Sequence, residues 1–139
     1  MTELVVPTFD VAKLSTAALE LLRAAVLHAR ANQCVKLHTM QIDEFCRLAG
    51  LPPTTTKRFL TLLKEARKAL VIVEVIDTEF PHRDDLPYSS WPVFKESRIN
   101  GSQIAFEIYN QTLEDSILAS LPMSKHLSDR DRASERMAN

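Results

Sequence analysis

Between residues 14 and 31 apolar side chains recur at helical spacing. Leu14, Ala17, Ala18, Leu19, Leu21, Leu22, Ala25 and Val26 cover most of the circumference, while Thr16, Glu20, Arg23 and Arg30 fall on one narrow stripe that Leu27 interrupts. Ser15 or Thr16 can cap this helix, and it contains neither Gly nor Pro. The apolar arc is wider than one core face requires. It predicts burial on two sides, one of them against a second copy of the chain, with Leu14, Ala18, Leu22, Val26 and Leu27 at that interface.

The alternation Val35-Lys36-Leu37-His38 predicts a short strand. A second helix is expected after Thr39 as N-cap, because Ile42, Phe45, Cys46 and Ala49 stand at i, i+3, i+4 and i+7 and Gly50 supplies a left-handed stop. Beyond Leu51-Pro52-Pro53, a third helix is expected over residues 54–70. Phe59, Leu62, Leu63, Ala66 and Leu70 form its apolar stripe, and Lys57, Thr61, Lys64 and Lys68 its opposite face. Two amphipathic helices joined by a short Gly-containing turn make a helix-turn-helix candidate.

From residue 71 the period changes to two. Residues 71–77 are rich in β-branched side chains, and a polar loop follows over 78–90. Strands are then predicted over 91–99 and 103–109, joined through Asn100-Gly101, a strong hairpin signal. A last helix runs from Asn110 or Thr112 to Leu121 and stops at Pro122. This order predicts an α+β winged helix, a helix-turn-helix closed by a small antiparallel sheet, with a C-terminal helix. It would occupy residues 1–121, and residues 122–139, charged and poor in large apolar groups, would form a disordered tail.

With 45% hydrophobic and 25% charged residues, the chain has the balance of a soluble globular protein of one domain's length. Its longest apolar runs, residues 24–27 and 69–73, fall far short of the roughly 20 needed to span a bilayer. Glu3 stands where a secretory leader would carry lysine, so the expectation is a cytoplasmic protein with no membrane partner. Cys34 and Cys46 are accordingly expected to be reduced.

Several segments resemble the first winged helix of plasmid replication initiators: Leu19-Glu20-Leu21-Leu22, residues 36–50, residues 55–70, and Ser89-Ser90-Trp91-Pro92-Val93-Phe94 leading to Ile104-Ala105-Phe106-Glu107-Ile108. The resemblance spans about residues 14–121 in element order and apolar positions. Family members generally carry two winged helices. The first supports dimerisation and phosphate contact, and the second reads origin repeats. The resemblance therefore implies a homodimer acting on double-stranded DNA in replication or in repression of the same locus, with replication proteins as further partners.

Charge distribution points the same way. The formal net charge is −1, yet residues 54–70 hold Lys57, Arg58, Lys64, Arg67 and Lys68 against Glu65 alone, a local +4 that leaves the rest of the chain at −5. In a helix-turn-helix the start of the second helix enters the major groove, which would bring Thr54, Thr55, Thr56, Lys57 and Arg58 to DNA, with Thr61, Lys64 and Lys68 along the same helix. Lys95 and Arg98 flank the expected hairpin turn and would contact backbone phosphates there. The competing reading is that Lys64, Arg67 and Lys68 merely solvate a surface and complement a helix C-terminus. Residues 74–85 oppose DNA contact with Glu74, Asp77, Glu79, Asp84 and Asp85 against Arg83. An acidic loop beside the wide apolar helix also suits a protein-interaction module that recruits replication partners without reading DNA.

Enzymatic chemistry finds little support. His28, Cys34, His38 and Cys46 are metal-ligand types, but they lack the close Cys pairs of a zinc site, and Cys46 falls on an apolar stripe. Asp84-Asp85 near His82 is the nearest approach to a catalytic cluster, and the chain has only two glycines, too few for a phosphate-binding loop. No enzyme activity, metal or cofactor is expected. Trp91 and Phe94 can stack on bases or close a core.

Overall fold

The wide apolar arc of the first helix is filled by the chain itself. In a computed structural model, which describes residues 3–80 and 86–122, α1 (Thr16–Ala31) packs against α2 (Ile42–Ala49) and α3 (Thr56–Ala66). It also meets the strand Gln103–Ile108 and a 3-10 turn at Asn110–Leu113. Ala18, Leu22 and Val26 have no exposed surface, Leu14 is half-buried against the core, and Leu27 is exposed. Of the expected subunit interface on this helix, Ala18, Leu22 and Val26 are therefore corrected: their burial is intramolecular. Its polar stripe is also engaged, since Arg23 donates to the Pro122 carbonyl at 3.1 Å and Arg30 pairs with Asp115 at 2.7 Å.

The remaining elements are β1 (Glu3–Asp10), β2 (His38–Gln41), β3 (Leu70–Asp77), β4 (Tyr88–Pro92), β5 (Phe94–Asn100), β6 (Gln103–Ile108) and a one-turn α4 (Asp115–Leu118). The fold is α+β, with two three-stranded antiparallel sheets ordered β2-β6-β5 and β1-β3-β4. The first sheet closes the core. Ile104, Phe106 and Ile108 alternate inward from β6, and Phe106 lies edge-on to Phe45 at 5.7 Å and to Phe94 at 6.0 Å between centroids.

The second sheet departs from expectation. β1 was not expected: Val5, Val6, Thr8 and Phe9 favour a strand, but Pro7 interrupts the run. Pro7 is tolerated because β1 is an edge strand. The single strand expected over 91–99 divides at Val93 between the two sheets. Val93 is fully buried, and its N–H donates to the Ala69 carbonyl at 3.1 Å.

Other boundaries shift as well. The strand after α1 begins at His38, which makes Thr39 a strand residue opposite Ala105 and leaves Gln41 at the N-cap of α2. Gly50 ends α2 at φ 70°, as its left-handed preference predicts. The third helix stops at Ala66, so Leu70 opens β3 instead of completing the helical stripe. The expected C-terminal helix is broken into the 3-10 turn and α4. Thr112, buried in that turn, accepts a 2.8 Å hydrogen bond from the Trp91 indole. The expected tail beyond Pro122 and the cluster His82, Arg83, Asp84 and Asp85 lie outside the described residues.

Candidate nucleic-acid interface

α3 is built to turn one face inward and leave the other in water. Phe59, Leu62, Leu63 and Ala66 are buried, Phe59 lying edge-on to Phe45 at 5.7 Å. Thr55 caps the helix: its hydroxyl oxygen accepts the Arg58 N–H at 3.1 Å. The N–H groups of Thr56 and Lys57, in the first turn, have no acceptor within the helix.

Outside that stripe, Thr56, Lys57, Arg58, Thr61, Lys64, Arg67 and Lys68 are all exposed, and Thr54 is half-buried. Among the described residues none of these cations forms an ion pair. Lys68 stands past the helix end, in a turn held by its own N–H to the Glu65 carbonyl at 3.1 Å. The only acid of the segment faces the fold. Glu65 accepts the Ser15 N–H through Oε1 and the Ser15 hydroxyl through Oε2 at 3.2 Å, at the N-terminus of α1. A carboxylate there is favoured by the helix dipole, which also ties α3 to α1.

No protein-family model matches this chain, and no curated protein matches its sequence.

The hairpin contributes less than the sequence suggested. Asn100 pairs with Gln103, so the two loop residues are Gly101 and Ser102, with Gly101 alone at positive φ, 61°. That is the pattern of a tight turn with glycine first. Its tip is docked, the Ser102 carbonyl accepting the Ile42 N–H and the Ser102 hydroxyl donating to Gln41 Oε1, both at 2.8 Å. Lys95 lies far down β5 from the turn, pairs with Glu107 at 3.3 Å, and stands 5.4 Å from the Tyr109 ring centroid. It faces a cavity of about 580 Å³ that His38 and Tyr109 also line. Arg98 pairs with Glu96 at 3.5 Å on an exposed strand. Lys95 is therefore engaged by Glu107, and Arg98 is partly neutralised.

The acidic segment also changes character. Asp77 is buried and accepts the N–H groups of Glu79 and Phe80, at 2.9 and 3.3 Å, so it closes a turn instead of facing solvent.

The metal-type residues scatter. Cys34 is exposed, Cys46 is buried, and neither is in a disulfide. Burial, helped by Asp43, pushes the Cys46 thiol up and keeps it protonated. His28 and His38 meet edge to face at 5.3 Å, with His38 stacked on Phe106. Burial first, and His28 second, hold His38 below its ordinary range, against an opposing pull from Glu107. Among the described residues no group of three or more His, Cys, Asp or Glu gathers as a metal ion would require. Nor is any helix among them long and apolar enough to cross a membrane.

One residue on the α3 surface escaped the sequence reading. Leu60 is exposed beside Lys57 and Lys64. Its offset from the stripe Phe59, Leu62, Leu63 and Ala66 was the signal available.

Proposed function

We propose that this chain is a non-enzymatic, cytoplasmic winged-helix protein that binds double-stranded DNA through α3. The observation that carries this is the asymmetry of that helix. Its cations are exposed and unpaired among the described residues, while its one acid is held against α1. The order α1-β2-α2-α3-β5-β6 with sheet order β2-β6-β5 supports the winged-helix reading, the tight Gly101-Ser102 turn standing for a minimal wing. β1 and the β3–β4 pair then form an added sheet at its side. On this reading Thr56, Lys57 and Arg58 enter the major groove, while Lys64, Arg67 and Lys68 meet phosphates. On the resemblance to replication initiators, the role proposed is replication or local repression, with two copies on paired half-sites.

The test is selection of bound fragments from genomic DNA with the purified protein, followed by salt titration on the selected duplex. Three cations on phosphates give a slope of log K against log salt of about −2.7, and Lys57 and Arg58 steepen it to about −4.5 where they too meet phosphates. Lys57→Glu with Arg58→Glu weakens binding by more than about tenfold. A shallow slope, or no binding to any duplex, overturns the reading.

A second reading, a protein-contact module that recruits replication proteins, is favoured by the apolar surface of the added sheet. Leu4 and Tyr88, on one face of it, and Val5, on the other, are more than half exposed. Under it the same double charge reversal leaves function intact.

A further inference from the structure

Leu60 is 37% exposed in the second turn of α3. A single surface leucine is ordinary in itself. What sets this one apart is its neighbourhood. At 3.6 residues per turn it lies about 40° around the helix axis from Thr56 and Lys64 and about 60° from Lys57. All three are exposed. The buried residues of the helix are Phe59, Leu62, Leu63 and Ala66, and Leu60 lies outside that set.

The neighbouring hydroxyls narrow what the surface can do. Thr55 has its oxygen engaged as the helix cap, and Thr61 donates to the Lys57 carbonyl at 3.2 Å. Thr61 therefore offers a ligand a methyl group and a lone pair. Thr61 stands about 100° around the axis from Leu60, with Lys57 and Lys64 between them, so the apolar group immediately beside these cations is Leu60. Phosphate contacts made by the lysines would carry no sequence information. In the major groove the one apolar feature of a base edge is the C5-methyl of thymine.

Accepting the DNA-binding reading above, we propose that Leu60 is a specificity-determining residue that recognises thymine methyl groups, so that the bound site contains thymine opposite the second turn of α3.

The probe is the duplex recovered by genomic selection, with each thymidine replaced in turn by deoxyuridine. This removes one methyl group and preserves base pairing. At one or two positions the replacement is expected to weaken binding of the unaltered protein by about fourfold, as loss of one buried methyl should. Leu60→Ala, an exposed helical site where alanine is well tolerated, should bind the thymidine duplex correspondingly less well and be indifferent to deoxyuridine at those positions. If the unaltered protein ignores deoxyuridine everywhere, or Leu60→Ala keeps the full discrimination, the inference is overturned and DNA binding stands. Failure to bind any duplex would instead remove the DNA-binding reading, and this inference with it.

Discussion

α1 and α3 lie against each other in the same core, yet the chain uses them in opposite ways. α1 buries Ala18, Leu21, Leu22, Ala25, Val26 and Ala29 without remainder, and even its Arg23 and Arg30 reach to the C-terminal segment. α3 buries a single stripe and leaves its charges unpaired among the described residues. On the proposed reading, fold and function are divided between two neighbouring helices. Substitutions on α1 should register in stability, and those on the outer face of α3 in binding.

The largest separation is expected from Leu22→Ala. Leu22 is fully buried between the helices and the sheet, so truncation should destabilise the domain by about 2–5 kcal/mol in urea unfolding. A loss below about 1 kcal/mol would mean that this side of α1 is not sealed.

Thr112→Val comes next. It deprives the Trp91 indole of its 2.8 Å acceptor in the turn that covers α1, and about 1–3 kcal/mol should follow, seen in the urea midpoint and in Trp91 fluorescence. An unchanged midpoint would show that the C-terminal segment does not help to close the α1 side.

How far the fold could be read from the chain follows the same division. α2 was legible because an apolar stripe and a glycine stop agree, and β6 because Ile104, Phe106 and Ile108 alternate against one buried face. β1 was not, because Pro7 breaks the run of Val5, Val6, Thr8 and Phe9, and only pairing with β3 settles it as a strand. The inward fate of α1 was hidden because apolar width shows that two sides are covered without saying by what. At the candidate site, the charge of α3 was readable. The retention of Glu65 by Ser15, fifty residues away, and of Lys95 by Glu107 was not, since both depend on tertiary placement.

Ser15→Ala tests the link between the two helices. It removes the cap on the Ala18 N–H and the hydroxyl bond to Glu65, with an expected cost of about 1 kcal/mol. Glu65 keeps its bond to the backbone N–H of residue 15, so it stays turned from the α3 cations and DNA affinity should not change. A fall in affinity with the stability loss would show that the hydroxyl bond is what holds Glu65 away from that surface.

A gentler effect is expected from pH. His38 sits between α1 and the sheet, facing His28 and Glu107, and burial holds it below its ordinary value of 6.5. The unfolded chain therefore takes up this proton first. Stability is unaffected well above that value, falls as pH drops through it, and stops falling on this account once folded His38 is itself protonated. Urea unfolding across this range should show the decline, and His38→Phe, which keeps an aromatic ring beside Phe106, should flatten it. An equal slope in the variant would assign the proton elsewhere.

The smallest change in stability is expected where the comparison places the largest functional weight. Lys64→Ala removes an exposed cation with no ion pair among the described residues and puts a better helix former in its place, so unfolding should shift by no more than about 0.5 kcal/mol. On the selected duplex the same variant should lose about one unit of salt slope, because one phosphate contact and its released counterion are gone. Leu22→Ala should do the reverse, losing stability while keeping the slope under conditions where it remains folded. If Lys64→Ala were instead to destabilise the domain and leave the slope intact, the outer face of α3 would belong to the fold, and the division between the two helices would fail.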